Sequence, residues 1–407
     1  MPINLPKELP AMHPVTGVRL AAGKAGIKAS GELDLAVIQI SSDAKCAAVF
    51  TQNSFCAAPV TVARQHLLNT SPRFLLINSG NANAGTGELG FQAAVESCSI
   101  LSDLGECDKE QVLPFSTGVI GELLPVELMV DALPSVVAQL NENGWDAAAH
   151  AIMTTDTVPK GVSQQFQIDG ETVTVTGIAK GSGMICPNMA TMLAFIACDA
   201  PVAPPVLQAC IEQAVALSFN SITVDGDTST NDACVLIATG AAAISEIDSI
   251  DSDAYAKLFA MISSVCEQLA QAIVRDAEGV TKFITVNVEQ GGSVDECRQV
   301  AYTVAHSPLV KTAFFASDAN WGRILAAVGR AGIDALDIGS ISIFLDEVCI
   351  VSDGGRDVDY REALGATVMR QKEITVKILL GRGDCSAKIW TSDLSHDYVR
   401  INAEYRT

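Results

Sequence analysis

The chain has 407 residues, 49% of them hydrophobic and 18% charged, so it can bury a sizeable core, and disorder is excluded. With 26 Lys plus Arg against 47 Asp plus Glu the formal net charge is −21, which argues against nucleic acid, whose phosphates need cations, and against an anionic membrane surface. A small anionic substrate stays admissible, because one local lysine outweighs a distant field that salt screens within about 8–10 Å.

No run approaches the length of apolar sequence that spans a bilayer, and residues 1–7 lack the basic head and apolar stretch of a signal peptide. A cytosolic location is the expectation. The 12 cysteines include no C-x-x-C pair, so local zinc spacing is missing and they read as small buried hydrophobes. No metal site is expected.

In chain order, Ala36–Ile40 and Ala47–Phe50 read as strands, and a helix is expected near Val62–Leu68. Phe74–Ile77 is a short buried strand bounded by Asn78-Ser79-Gly80. A turn-rich loop follows and opens into a helix over about Gly90–Leu104. That loop spells G-x-G-x-x-G over Gly85–Gly90, but it starts eight residues after Ile77 and places Glu88 where a pyrophosphate would lie, so it reads as a turn. Val112–Phe115 leads into Ser116-Thr117-Gly118. Helical spacing over Pro125–Asn141 contains Pro134, which predicts a kink or a break.

Thr172–Thr176 alternates as a half-buried strand, and Leu193–Ile196 reads as a fully buried one. Helices are expected over 205–217 and 253–275, the second capped by Asp251 or Ser252. Phe283–Val288, Ile341–Phe344, Glu347–Val351 and Ile374–Leu380 read as strands. Strands mixed with long helices imply layered α/β or α+β architecture, and the length suggests two to three domains.

The chemistry concentrates in Lys180-Gly-Ser-Gly-Met-Ile-Cys-Pro-Asn-Met-Ala-Thr-Met-Leu193. Two glycines let the backbone pass close to something, and Thr191 stands just before a buried strand. Thr191 can be an ordinary strand-edge threonine bonded to the backbone. It can also be a nucleophile that cuts its own chain. Breaking the Ala190–Thr191 bond would free an α-amine with a pKa of about 7.7–8.0, which can take the hydroxyl proton with no histidine involved. No H-E-x-x-H or G-x-S-x-G motif competes with this reading.

These residues resemble the ornithine acetyltransferase, or glutamate N-acetyltransferase, family over essentially all of residues 14–407. Residues 180–193 carry its self-cleavage signature. Further matches are Ile77–Ala84, Ser116–Gly121, Ile152–Thr157, Val224–Asp232, Arg275–Gly279, Ser317–Arg323 and Tyr398–Asn402. The resemblance implies Thr191 as self-cleavage residue and acetyl-accepting nucleophile, and Thr117 and Gly118 as the oxyanion hole. It implies Thr154 (or its neighbour Thr155), Lys180, Thr191, Glu278, Asn402 and the terminal Thr407 as substrate ligands. A structural ion pair of Glu278 with Arg275 or Lys282 is the plainer alternative.

The implied fold is two α/β domains with stacked mixed sheets flanked by helices, divided at about residue 280 into 1–280 and 281–407. The implied processed chains are 1–190 and 191–407, assembled as a heterotetramer of two copies of each. The implied reaction is ping-pong acetyl transfer from N-acetylornithine to glutamate, with no metal or organic cofactor. Some members of the family also accept acetyl-CoA as co-substrate, and no motif decides this here. The alternatives are a self-processing Thr-nucleophile amidohydrolase or aminopeptidase, in which water takes the acyl group, and a metabolite-binding protein that retains the scaffold without activity.

Overall fold

The computed structural model describes residues 2–186 and 192–404. Its contacts divide the chain into two compact units. The larger comprises Pro6–Asn220 and Asp227–Ile273; the smaller comprises Met1–Leu5, Ser221–Gly226 and Val274–Thr407. The main seam thus falls after Ile273 rather than near 280, and two short segments from earlier in the chain join the smaller unit.

The larger unit stacks two sheets. One has the order β1 (Val18–Gly23), β2 (Leu35–Ile40), β4 (Phe74–Asn81), β5 (Val112–Val119). The other has the order β3 (Lys45–Phe50), β9 (Ala233–Ala238), β8 (Leu193–Cys198), β7 (Glu171–Lys180), β6 (Lys160–Ile168). Both mix parallel and antiparallel pairs: β4–β5 and β8–β9 are parallel, the rest antiparallel.

Between the sheets lies one apolar layer, with Leu20, Ile38, Leu75, Ile77 and Leu113 facing Ile178, Leu193, Val235 and Ile237. Phe115 meets Phe195 edge to face across it, ring centroids 5.1 Å apart. The outer face of the first sheet is covered by α1 (Ala58–Asn69), α2 (Gly87–Gly105) and α3 (Val126–Ala138). On the second sheet, α5 (Pro204–Leu217, after the short α4 at Trp145–Ala151) packs on β3 and β9. Helix α6 (Asp253–Arg275) lies over β7, where Gly177 lets Val265 and Leu269 come close. The stacked, helix-flanked mixed sheets expected from the sequence are present.

Several local expectations change in the three-dimensional setting. From Val173 onward strand β7 is buried on both faces, so of its alternating threonines only Thr172 is exposed; Thr176 is wholly buried, bonded to Ser163 Oγ at 2.7 Å and donating to the His13 carbonyl at 2.8 Å. Helix α3 runs through Pro134 unbroken, its one missing donor outweighed by the burial of Val126, Met129, Leu133 and Val136. Helix α1 begins at Ala58, earlier than expected, with Pro59 in its first turn, where a proline's missing N–H costs nothing. Strand β4 continues through Asn78-Ser79-Gly80 instead of stopping there. Ser252 caps α6 by accepting from Tyr255 N at 3.1 Å.

Helix α6 has the length and mean hydropathy of a membrane span, yet Leu258, Ile262, Val265, Cys266, Leu269 and Ile273 are buried among protein. No disulfide joins any of the 12 cysteines among the described residues, and none is exposed. Burial pushes the thiols of Cys98, Cys198, Cys234 and Cys266 well up, as expected of hydrophobic packing.

The smaller unit is built on one mixed sheet containing β10 (Phe283–Gly291), β11 (Ser342–Leu345), β12 (Val348–Ser352), β13 (Glu373–Leu379) and β14 (Cys385–Ser392). The two-residue strands Ile222–Thr223 and Gly355–Arg356 form its edges. Its core joins Val286, Ile343, Val376 and Ile389 of the sheet to α7 (Val294–Ala305), α8 (Pro308–Phe315), α9 (Trp321–Gly329) and α10 (Glu362–Met369). The chain ends in α11 (His396–Ala403).

Lys311 of α8 is wholly buried, and its ammonium donates to Thr391 Oγ1 at 3.1 Å and to the Ser392 carbonyl. Burial pushes its pKa down from an ordinary 10.5 to about 8, against the pull of Asp393 and Asp225. The unfolded lysine keeps its proton to higher pH than the folded one. The unfolded state therefore binds more protons between these values, and stability must rise with pH across that window. We expect the unfolding free energy of wild type minus that of Lys311→Met to increase by roughly 3 kcal/mol between pH 7.5 and 10.5 in urea titrations. A flat difference would show that Lys311 is not carried into the fold as a destabilised cation.

Candidate active site

The site in the larger unit begins with a backbone constraint. The parallel strands β4 and β5 run in register until Ser79 opposite Thr117 and Gly80 opposite Gly118, then shift at Asn81. Gly118 has φ +136°, and a Cβ there would lie 2.3 Å from the Gly80 carbonyl carbon and 2.5 Å from Asn81 N. Only glycine fits.

Side-chain amides hold this end of the sheet. Asn78 donates to the Asn81 carbonyl at 2.8 Å and accepts from Ser116 Oγ at 2.6 Å. Asn81 accepts from Asn83 N at 2.7 Å. Asn231 donates to the carbonyls of Ala82 at 2.6 Å and Ser116 at 3.0 Å. The motif Ile77–Ala84 is therefore a framework for the residues that follow it in space. The G-x-G-x-x-G stretch belongs to it: Asn83 donates to the Gly90 carbonyl at 2.8 Å, and a Cβ on Gly90 would collide with Thr86 Oγ1 at 1.8 Å.

Against this frame lies Lys180, the last residue of β7, 9% exposed. Its Nζ donates to Thr154 Oγ1 at 2.7 Å and to Thr117 Oγ1 at 3.2 Å. A hydroxyl that accepts from an ammonium keeps its own O–H to donate onward. Beneath them, the Asp156 carboxylate accepts from Lys160 Nζ at 2.6 Å, Gly181 N at 2.7 Å and Thr154 N at 2.9 Å. Burial alone would push this carboxyl up; the charges of Lys160 and Lys180 and the bonds from Lys160 and Gly181 outweigh it and hold it well below the usual range. A pocket with about 210 Å³ of open space adjoins the group, lined by Thr117, Lys180, Met192, Leu193, Ser229, Asn231 and Asp232.

Of the residues singled out from sequence, Thr117, Gly118, Thr154 and Lys180 come together here, and the hydroxyl that meets Lys180 is that of Thr154. Ala190, Thr191 and Thr407 lie outside the described residues.

Glu278 and Asn402 meet in the smaller unit, where Asn402 Nδ2 donates to Glu278 Oε2 at 2.7 Å. Arg275 instead pairs with Glu373 at 2.7 Å, and Lys282 donates to the carbonyls of Met369 and Gln371. Gly279, at φ +68°, packs on the start of α11, where Ser395 Oγ donates to its carbonyl at 2.7 Å and accepts from Tyr398 N at 3.3 Å. Motifs 275–279 and 398–402 are thus one structure. Ser317–Arg323 is a helix start, with Asn320 capping α9. Sequence reasoning assigned no role to Asp156, Asn231 or Asp232. All three stand in motifs quoted above, but nothing in one dimension shows that they converge.

The glycine pair makes a ranked prediction. Gly118→Ala drives a Cβ into backbone, whereas Gly80→Ala meets mainly the Lys28 side chain at 3.1 Å. We expect Gly118→Ala to cost about 2–4 kcal/mol and Gly80→Ala distinctly less, measured by thermal or urea unfolding.

The ArgJ family model matches residues 19–407. The arginine biosynthesis bifunctional protein ArgJ of Pseudomonas fluorescens is 58% identical over 399 residues, covering 98% of each chain. The protein of the same name from Pseudomonas syringae pv. tomato is 56% identical over the same shares. Among solved structures, a chain of the Bacillus halodurans arginine biosynthesis bifunctional protein argJ is 35% identical with a TM-score of 0.51, and all of it matches 53% of this chain. With the family model matching residues 19–407 and two relatives 56–58% identical over 98% of the chain, the chain belongs to the ArgJ family.

Proposed function

We propose that this chain is an acyltransferase of arginine biosynthesis that moves the acetyl group of N-acetylornithine to glutamate through an acetyl-threonine. The observation that carries the reading is the Lys180 ammonium donating to the Thr117 hydroxyl beside a pocket that also reaches Met192, the residue after Thr191. Thr117 Oγ1 can then direct its proton at a developing oxyanion, together with Gly118 N–H.

Cleavage of Ala190–Thr191 frees the Thr191 α-amine, which serves as base for the Thr191 hydroxyl. The hydroxyl attacks the acetyl carbonyl, the C–N bond to ornithine breaks, and the amine leaves with the proton from the Thr191 ammonium. The amine of glutamate attacks the ester, and the same groups return N-acetylglutamate and free threonine. One amide replaces another, so the exchange is close to thermoneutral. Lys180 and Thr154 are assigned the substrate's α-carboxylate; for Glu278, Asn402 and Thr407 the family resemblance alone supports a place among the substrate ligands.

Every group in this scheme belongs to the chain, so no metal or cofactor is proposed. The word bifunctional in the relatives' names supports a second acetyl donor, and we assign that place to acetyl-CoA. The Bacillus chain that matches 53% of this one has about the share of residues 191–407, which supports processed chains 1–190 and 191–407. We place them in the cytosol as a heterotetramer of two copies of each. Membership in the family favours transfer to glutamate over release to water.

Intact mass spectrometry tests the nucleophile. Wild type should give two chains of roughly 20 and 23 kDa from 42.6 kDa, with Thr191 as a new N-terminus, and Thr191→Ala should remain whole. A wild type that stays uncut yet transfers acetyl would overturn the α-amine as base. Thr117→Val should lower kcat for acetyl exchange by about 10²–10³.

A further inference from the structure

Asp156 plays no part in the chemistry above, yet it is bonded to the backbone beside both members of the Lys180–Thr154 pair that meets Thr117. It accepts from Thr154 N, and the Thr154 hydroxyl receives Lys180 Nζ. It accepts from Gly181 N, the peptide that leaves Lys180. Both ends of the Lys180–Thr154 contact are therefore tied to one carboxylate. The side chains of Asp156 and Lys160 are 0% and 1% exposed, so this charge is wholly inside the protein.

Cations crowd the place. Burial pushes the Lys28 pKa below its ordinary value; Glu32, Asp34 and Asp156 oppose this and Lys180 adds to it, so Lys28 stands within electrostatic reach of both Asp156 and Lys180. The groups facing Lys180 are then Asp156 from the loop after α4, Lys160 from β6, Lys28 from the loop between β1 and β2, and Asp232 across the pocket. Among these, Asp156 combines full burial with direct backbone ties to the Lys180–Thr154 pair, where a charge is least screened.

The protonation state of Lys180 decides what Thr117 can do. As an ammonium, Lys180 has only N–H donors, so the Thr117 oxygen accepts and its O–H is available to the reacting carbonyl. As a neutral amine, Lys180 offers a lone pair, and the Thr117 O–H can turn to it and away from the substrate. An anion that stabilises the ammonium therefore also sets the direction of the Thr117 proton.

We propose that Asp156 is a positioning residue of the acyl-transfer site: through its hold on Thr154, Gly181 and the Lys180 charge it keeps Lys180 an ammonium on Thr117 and so keeps the Thr117 hydroxyl aimed outward as a donor. Lys160 is its structural counter-ion. The inference rests on the proposed role of Thr117 in acetyl transfer.

A merely structural ion pair makes a different forecast. Replacing a buried pair by neutral groups of similar size is often tolerated by the fold. Asp156→Asn together with Lys160→Met should thus fold, as judged by circular dichroism and a cooperative melt. Acetyl exchange from N-acetylornithine to glutamate is then followed over pH 6–10 on the full-length enzyme. We expect the alkaline limb of kcat in the double variant to lie about one pH unit or more below that of Lys160→Met, the pair that differs only in the Asp156 charge, with the ratio of the two rates approaching about tenfold above both midpoints. Lys160→Met alone retains the anion and removes a competing cation, so its limb should move upward.

Coincident limbs in the double variant and Lys160→Met, whether kcat is equal or lowered equally at every pH, would overturn the proposal. If the double variant does not fold, Asp156→Asn alone is compared with wild type: a lowered limb supports the proposal, and an unmoved or raised one overturns it. The same charge effect is read without activity by NMR of ¹³Cε-lysine, with the Lys180 signal assigned by Lys180→Arg. If wild type exchanges no acetyl group, the proposed function fails; the Lys180 midpoint, lower in the double variant than in Lys160→Met or not, still judges the role of Asp156.

Discussion

The structure of the site depends on two backbones approaching more closely than side chains allow. At Gly118 the neighbouring backbone of β4 leaves no room for a Cβ, and the register of the parallel pair shifts at the next residue. That shift ends the ladder and turns Thr117 into a strand-edge hydroxyl beside a pocket. Breaking a parallel ladder inside a protein leaves peptide groups to satisfy. Asn78, Asn81, Asn83 and Asn231 do so, because a side-chain amide offers donor and acceptor together without a charge to desolvate.

Charge is organised locally and against the average. A chain of net charge −21 gathers Lys28, Lys160 and Lys180 around the buried Asp156. At contact distances in a dry interior, neighbours dominate, and the remote acidic surface is screened away. The Asp156 carboxylate is the hub because it can accept from several donors at once; here two are backbone N–H groups and one an ammonium.

The smaller unit uses the same economy of parts. Gly279 at positive φ lets the turn after α6 sit on the first residues of α11, and this contact brings Asn402 to Glu278. Arg275 is spent on Glu373 and on the ring of Phe283, 4.0 Å from its centroid, which leaves the Glu278 carboxylate to the amide.

Much of this was legible in one dimension. Periodicity placed α2, α5 and α6 and the buried strands β2, β8 and β10 within a few residues, because apolar spacing reports which side of an element faces a core. Residues 180–193 stood out through residue types whose chemistry is local, and the Thr117-Gly118 pair through the family resemblance. What periodicity missed followed from the layers. Strand β7 hides Thr174 and Thr176 because other parts of the chain close on both of its faces, α6 over Gly177 and the segment of His13 over Thr176, and α3 runs through Pro134 because its apolar side is anchored. By itself, then, the sequence determined the class of fold and singled out the threonines. Only the tertiary structure decided that Thr154 rather than Thr155 meets Lys180, that Asn83 and Gly90 form a support and not a phosphate loop, and that Asp156 lies beneath the site. Each of those facts is a hydrogen bond between residues distant in the chain or a burial imposed from another layer, and neither is written in local order.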